Sequence, residues 1–119
     1  MTNIVRKGCN ARMSQIVIHA GVVYLSGQVA PDFLAGSAPV AEQTGQILAR
    51  IDELLAEAGS DRSKLLTAQI WLADVAEFDA MNAVWERWLA PHQPPARATC
   101  GVTLAHPNVR VEITVSAAL

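Results

Sequence analysis

The sequence predicts an α+β domain over residues 1–119, with one mixed β-sheet carrying two helices on one face in the order β-β-β-α-β-α-β-β. Three observations predict it. Side chains alternate with period two near the start and again after residue 96. Two intervening segments switch to a helical period, and glycines and prolines stand at the changes of period.

Residues 15–19 alternate, with Ile16 and Ile18 opposed to Gln15, Val17 and His19. Ala20-Gly21 is a turn signal before the β-branched and aromatic run Val22 to Leu25, so an antiparallel hairpin is expected. Residues 4–8 offer a further strand before it, and Ser26-Gly27-Gln28 closes the third. The stretch Ala30 to Pro39, with two prolines, a glycine and a serine, reads as a loop. From Val40 the residues Ile47, Leu48, Ile51, Leu54, Leu55 and Ala58 fall on one helical face, with Pro39 at the start and Gly59 at the stop. Leu65 to Ala73 reads as a long strand, with Leu66, Ala68, Ile70 and Leu72 on one face and Thr67, Gln69, Trp71 and Ala73 on the other. Asp74 and Glu77 have the spacing of a capping box ahead of a second helix, on which Phe78, Met81, Trp85, Trp88 and Leu89 recur. Pro91 and Pro94-Pro95 stop it. Residues 96–104 and 109–117 read as two final strands joined by Ala-His-Pro-Asn.

Apolar residues make up 51% of the chain and charged residues 17%, against a typical ~25% charged. That composition excludes a disordered chain, and no apolar run is long enough to cross a membrane as a helix. A small domain so poor in charge has trouble covering its surface, and the sheet face opposite the helices, with Trp71 on it, is expected to be buried against another subunit. The net charge is −2 and the nine basic residues form no cluster, so nucleic acid is a poor partner. Cys9 and Cys100 form neither a C-x-x-C motif nor a zinc pattern, and Cys100 reads as a small buried hydrophobe. No apolar signal segment follows the first basic residues, so a reducing cytoplasmic setting is expected.

Nucleotide-binding, zinc-protease and serine-hydrolase motifs are missing, and His19, His92 and His106 are isolated, so no metal site is expected. Two charges stand in otherwise apolar strands: Arg97 in Pro-Pro-Ala-Arg-Ala-Thr-Cys and Glu112 in Val-Arg-Val-Glu-Ile-Thr-Val. Two readings of them are open. Both residues face solvent on an edge strand, as charged residues mostly do. Alternatively, the last two strands pair as a hairpin, Glu112 faces Gly101 and Arg97 faces Ser116. The two charges then share one face about 13 Å apart at 3.3 Å per residue, leaving room for a small anion between guanidinium and carboxylate.

Beyond these features the chain resembles the RidA/YjgF family of reactive-intermediate deaminases. The resemblance rests on Ser26-Gly27-Gln28, on Trp71-Leu72-Ala73-Asp74-Val75 running into Phe78 and Met81-Asn82-Ala83, on Pro95-Ala96-Arg97, and on Val111-Glu112-Ile113. No piece is specific alone, but their order and spacing match from about residue 10 onward. The resemblance implies a chorismate-mutase-like fold and a homotrimer whose sheets form a central barrel, with sites between subunits. It implies cofactor-free hydrolysis of 2-imino or enamine acids to 2-keto acids and ammonia. It makes Arg97 the carboxylate anchor and Glu112 the residue near the attacking water. Ser26, Gly27 and Gln28 then line the pocket, with Asn82 as a further pocket residue contributed across the interface. Thr99 stands where many relatives have cysteine. Met13, in Ala11-Arg12-Met13-Ser14-Gln15, replaces a family tyrosine and removes a hydroxyl. Two other readings stay open: a non-catalytic binder of small carboxylates using the same cleft, and an interaction or nuclease protein, the latter disfavoured by the missing basic patch.

Overall fold

In a computed structural model, which describes residues 3–119, the chain forms six strands and two long helices. They are β1 (Val5–Cys9), β2 (Ser14–His19), β3 (Val22–Leu25), α1 (Val40–Ala58), β4 (Leu65–Leu72), α2 (Phe78–Leu89), β5 (Ala96–Gly101) and β6 (Val111–Ala118). The order along the chain is the one expected. In space the sheet runs β1-β2-β3-β6-β4-β5, antiparallel except for the β4–β5 pair.

Helix α1 forms because its apolar positions make one continuous stripe. Ile47, Leu48, Ile51, Leu54 and Leu55 are all buried, while Glu42, Arg50, Glu53 and Glu57 face outward. The helix stops where Gly59 takes a left-handed conformation (φ 88°), which lets its N–H reach the carbonyls of Leu55 and Ala56. Both helices lie on one face of the sheet. The core between the layers joins Ile16, Val23, Ile70, Leu72 and Ile113 to the α1 stripe and to Met81, Trp85 and Leu89 of α2. Burial of these side chains is the main stabilising term, each contributing about 1.5–3 kcal/mol.

Two polar groups, the buried Gln43 and the half-buried Asp52, show why the connections hold their shape. Gln43 donates to the carbonyls of Ala38 (2.8 Å) and Asn108 (2.9 Å) and accepts from the Arg110 N–H (2.9 Å), pinning the β5–β6 connection to α1. Asp52 binds Arg62 and the Trp88 indole (3.0 Å), joining α1 to α2.

Four sequence expectations change. The last two strands do not form a hairpin. β5 returns parallel to β4 after α2, and β4 lies between β5 and β6. Leu66 leaves the apolar face of β4, because a bulge between Leu65 and Thr67 turns Leu65 inward and leaves Leu66 exposed. The capping box is not completed. Asp74 Oδ1 accepts from the Ala76 N–H (2.9 Å) and caps a short 3₁₀ turn, while Glu77 pairs with Arg110 instead. Cys100 is exposed, because its register opposite Trp71 puts it on the face without helices.

Candidate functional site

Strand register decides which side chains can meet. Arg97 lies opposite Ala68, which lies opposite Val115, and both neighbours are buried under the helices. Arg97 therefore projects from the helix-covered face. Glu112 lies opposite Trp71, which lies opposite Cys100, so it projects from the open face. The expectation that Arg97 and Glu112 share a face, with Gly101 beside Glu112, is overturned by the insertion of β4. A Cβ on Gly101 would instead meet the Val75 side chain at 2.4 Å.

On the helix-covered side, edge strand β5 places Arg97 under α2. Its Nη1 donates to Asn82 Oδ1 at 2.7 Å, and its guanidinium carbon lies 5.6 Å from the Trp85 ring centroid and 5.9 Å from that of Phe78. Cation–π attraction and the amide hold the fork in place, and Arg97 has no ion-pair partner among the described residues. Burial lowers its pKa, and the Glu86 carboxylate opposes part of that shift. A guanidinium remains cationic under such shifts, so most of its donors stand ready for an anion. Asn82 and Arg97 thus meet within one chain. Thr99 lies two residues beyond Arg97 on the same face, opposite Ile70, and its buried hydroxyl has no hydrogen-bond partner. A cleft of about 510 Å³ opens beside Arg97 and Asn82.

On the open side, the backbone of Gln28 pairs with that of Ile113, at 2.8 and 3.1 Å, which lays Ser26-Gly27-Gln28 alongside Glu112. Gly27 leaves free the space that the Glu112 carboxylate occupies. A Cβ at this position would sit 2.2 Å from Glu112 Oε2. Gln28 Nε2 donates to Gln15 Oε1 (2.9 Å) and Ser26 Oγ (3.0 Å), and Ser26 Oγ donates to Gln15 Oε1 (3.0 Å). The Glu112 carboxylate makes no hydrogen bond or ion pair among the described residues, and burial raises its pKa from the ordinary glutamate value. Met13 is exposed in the turn before β2, with its N–H bonded to Asn10 Oδ1 (3.0 Å).

The structure thus sorts the sequence-predicted residues into two clusters on opposite sides of the sheet: Arg97, Asn82 and Thr99, and Glu112, Ser26, Gly27 and Gln28. Met13 touches neither through a hydrogen bond. Sequence reasoning missed Gln15, and it gave Phe78 and Trp85 no part in the site beyond the apolar stripe of α2. The spacing of Phe78, Asn82 and Trp85 at i, i+4 and i+7 puts a polar residue in an aromatic stripe, a signal that could have been noticed. Gly27→Ala is expected to displace the Glu112 carboxylate while leaving the thermal midpoint nearly unchanged. Gly27 is exposed and has no positive φ, so a methyl adds no backbone strain. Circular dichroism melting and a structure of the variant check both halves of that expectation.

Among the described residues no group of three or more His, Cys, Asp or Glu side chains could hold a metal, and no helix is long and apolar enough to cross a membrane.

Comparison with known proteins agrees with the fold. The profile of the family described as Endoribonuclease L-PSP matches residues 5–119. The chain is 39% identical to a RutC family protein of Haemophilus ducreyi, over 98% of this chain and 97% of that one. It is 40% identical to the RutC family protein YoaB of Escherichia coli, over 98% of each. A crystal structure of a YjgF family member from Neisseria meningitidis superposes with a TM-score of 0.91 at 40% identity, covering 98% of this chain and 94% of that one. The six-stranded mixed sheet under two helices, together with these near-full-length matches, places the chain in the L-PSP endoribonuclease family that includes the RutC and YjgF proteins.

Proposed function

We propose that the protein hydrolyses reactive 2-imino acids to 2-keto acids and ammonia, in a site completed by two copies of the chain. The observation that carries this reading is Arg97, a guanidinium held by Asn82 and two aromatic rings yet without an ion-pair partner among the described residues. Such a group suits a small carboxylate, which its planar fork binds through two parallel hydrogen bonds.

Glu112 supplies the second half. Its carboxylate is partly desolvated and unpaired among the described residues, beside a glycine that leaves open space. In the reaction, water adds to the C=N carbon and forms a new C–O bond. The carboxylate takes a proton from that water and passes a proton to the nitrogen. This gives an amino alcohol. The carboxylate then takes the hydroxyl proton and passes it to the amine, the C–N bond breaks, ammonia leaves and the keto acid remains. A carboxyl group with a raised pKa suits both transfers. Arg97 and Glu112 project from opposite faces of one sheet, so the guanidinium of one copy would work with the carboxylate of its neighbour. The open face, with Trp71 on it and Tyr24 exposed, supports packing against further copies in a homotrimer. Sedimentation is expected to return three times 12.7 kDa.

No cofactor enters this scheme, and the substrate is the only other partner it names. Ribonuclease action, which the family description mentions, finds little support in a chain of net charge −2 without a basic cluster. The test generates an amino-acid-derived imine in situ and follows keto-acid formation with and without the protein. Acceleration over buffer supports hydrolysis. Tight binding of 2-keto acids without acceleration leaves a carboxylate-binding protein that uses the same Arg97 cleft.

A further inference from the structure

The cleft of about 510 Å³ beside Arg97 is far larger than the carboxylate end of a three-carbon acid requires. It runs from Asn82 and Arg97 between the C-terminal half of α2 and the proline-rich connection to β5. Trp85 and Leu89 form its floor, and Pro91, Pro94 and Pro95 line its wall. A cavity of roughly 150 Å³ lined by apolar side chains already accepts a benzene ring. Resting on the carboxylate reading of Arg97, we infer that this cleft is a side-chain subsite that favours 2-oxo and 2-imino acids carrying an aromatic group.

The chemistry of the lining supports that class. With a small acid bound at Arg97, the cleft beyond it holds water against proline, leucine and tryptophan surface. An aromatic substituent displaces that water and stacks its flat face on the proline rings. Glu86 also lines the cleft, and its negative charge disfavours substrates with a second carboxylate. The subsite therefore ranks aromatic acids above small ones and small ones above dicarboxylates.

The test titrates the assembled protein with phenylpyruvate, pyruvate and 2-oxoglutarate, followed by NMR. Phenylpyruvate is expected to bind about tenfold or more tightly than pyruvate. It is also expected to shift the resonances of Leu89 and the Trp85 indole, which pyruvate leaves in place, and 2-oxoglutarate is expected to bind most weakly. In Ala90→Trp a new ring enters the cleft from its rim, and the affinity ratio of phenylpyruvate to pyruvate falls toward one. Equal affinities in the wild type, a ratio that survives Ala90→Trp, or no response at Leu89 and Trp85 overturns the subsite. Arg97→Ala separates the two layers of the reading. If it leaves the binding of both acids unchanged, the carboxylate anchor fails and the subsite falls with it. If both acids lose affinity in Arg97→Ala yet bind the wild type equally, only the subsite fails.

Discussion

Arg97→Ala is expected to lower kcat/KM for imine hydrolysis by roughly 30- to 1,000-fold, the equivalent of about 2–4 kcal/mol for a charge-assisted contact. The side chain is held on three sides, by the Asn82 amide and the rings of Phe78 and Trp85, while no carboxylate pairs with it among the described residues. Truncation therefore removes substrate binding without orphaning a buried acid, and the fold is expected to persist. Arg97→Lys keeps the charge but loses the planar fork, so it restores only part of the rate. Steady-state kinetics on several imines, with melting curves as the folding control, check this. Full activity in Arg97→Ala would remove Arg97 from the site.

Glu112→Gln is expected to lower kcat by about 100- to 10,000-fold, the range for losing a positioned proton-transfer group. Its effect on stability runs the other way. Burial raises the Glu112 pKa, so the folded state holds the proton more tightly than the unfolded chain does. The wild type thus gains stability as pH falls through the raised pKa and loses it as pH rises. At neutral pH, Glu112→Gln removes the cost of a partly desolvated charge, and its melting midpoint is expected to equal or exceed that of the wild type. The difference closes as pH falls into the carboxylate range. Wild-type activity is expected to rise with pH through an apparent pKa above the ordinary glutamate value of about 4.3, and to lose that limb in Glu112→Gln. A variant that melts lower than the wild type at neutral pH would contradict this account of Glu112.

Much of this arrangement was legible in the sequence, for local reasons. The stripe from Ile47 to Ala58 sets the helix by its spacing, and Gly59 ends it by its conformational freedom. The β2–β3 hairpin follows from alternation around Ala20-Gly21, where Ala20 itself takes a positive φ of 51°. Strand order was not legible, because alternation fixes which residues share a face but not which strand lies next door. The short-looking link between the last two strands pointed to a hairpin. In the fold, β5 instead pairs with the β4 edge that α2 brings it back to, and Gln43 holds the connecting segment against α1. That difference moved Glu112 to the opposite side of the sheet from Arg97. The family resemblance singled out Gly27, but its steric relation to Glu112 depends on the bridge between Gln28 and Ile113, a contact far apart in sequence.

The central claim is that one working site takes Arg97 from one copy and Glu112 from another. Co-expression of Arg97→Ala chains with Glu112→Gln chains tests it most directly. Random mixing at equal amounts is expected to restore about a quarter of wild-type activity per site, since half the sites draw an intact arginine and half of those an intact glutamate. Mixed assemblies that show only the combined residual rates of the two variants would contradict it.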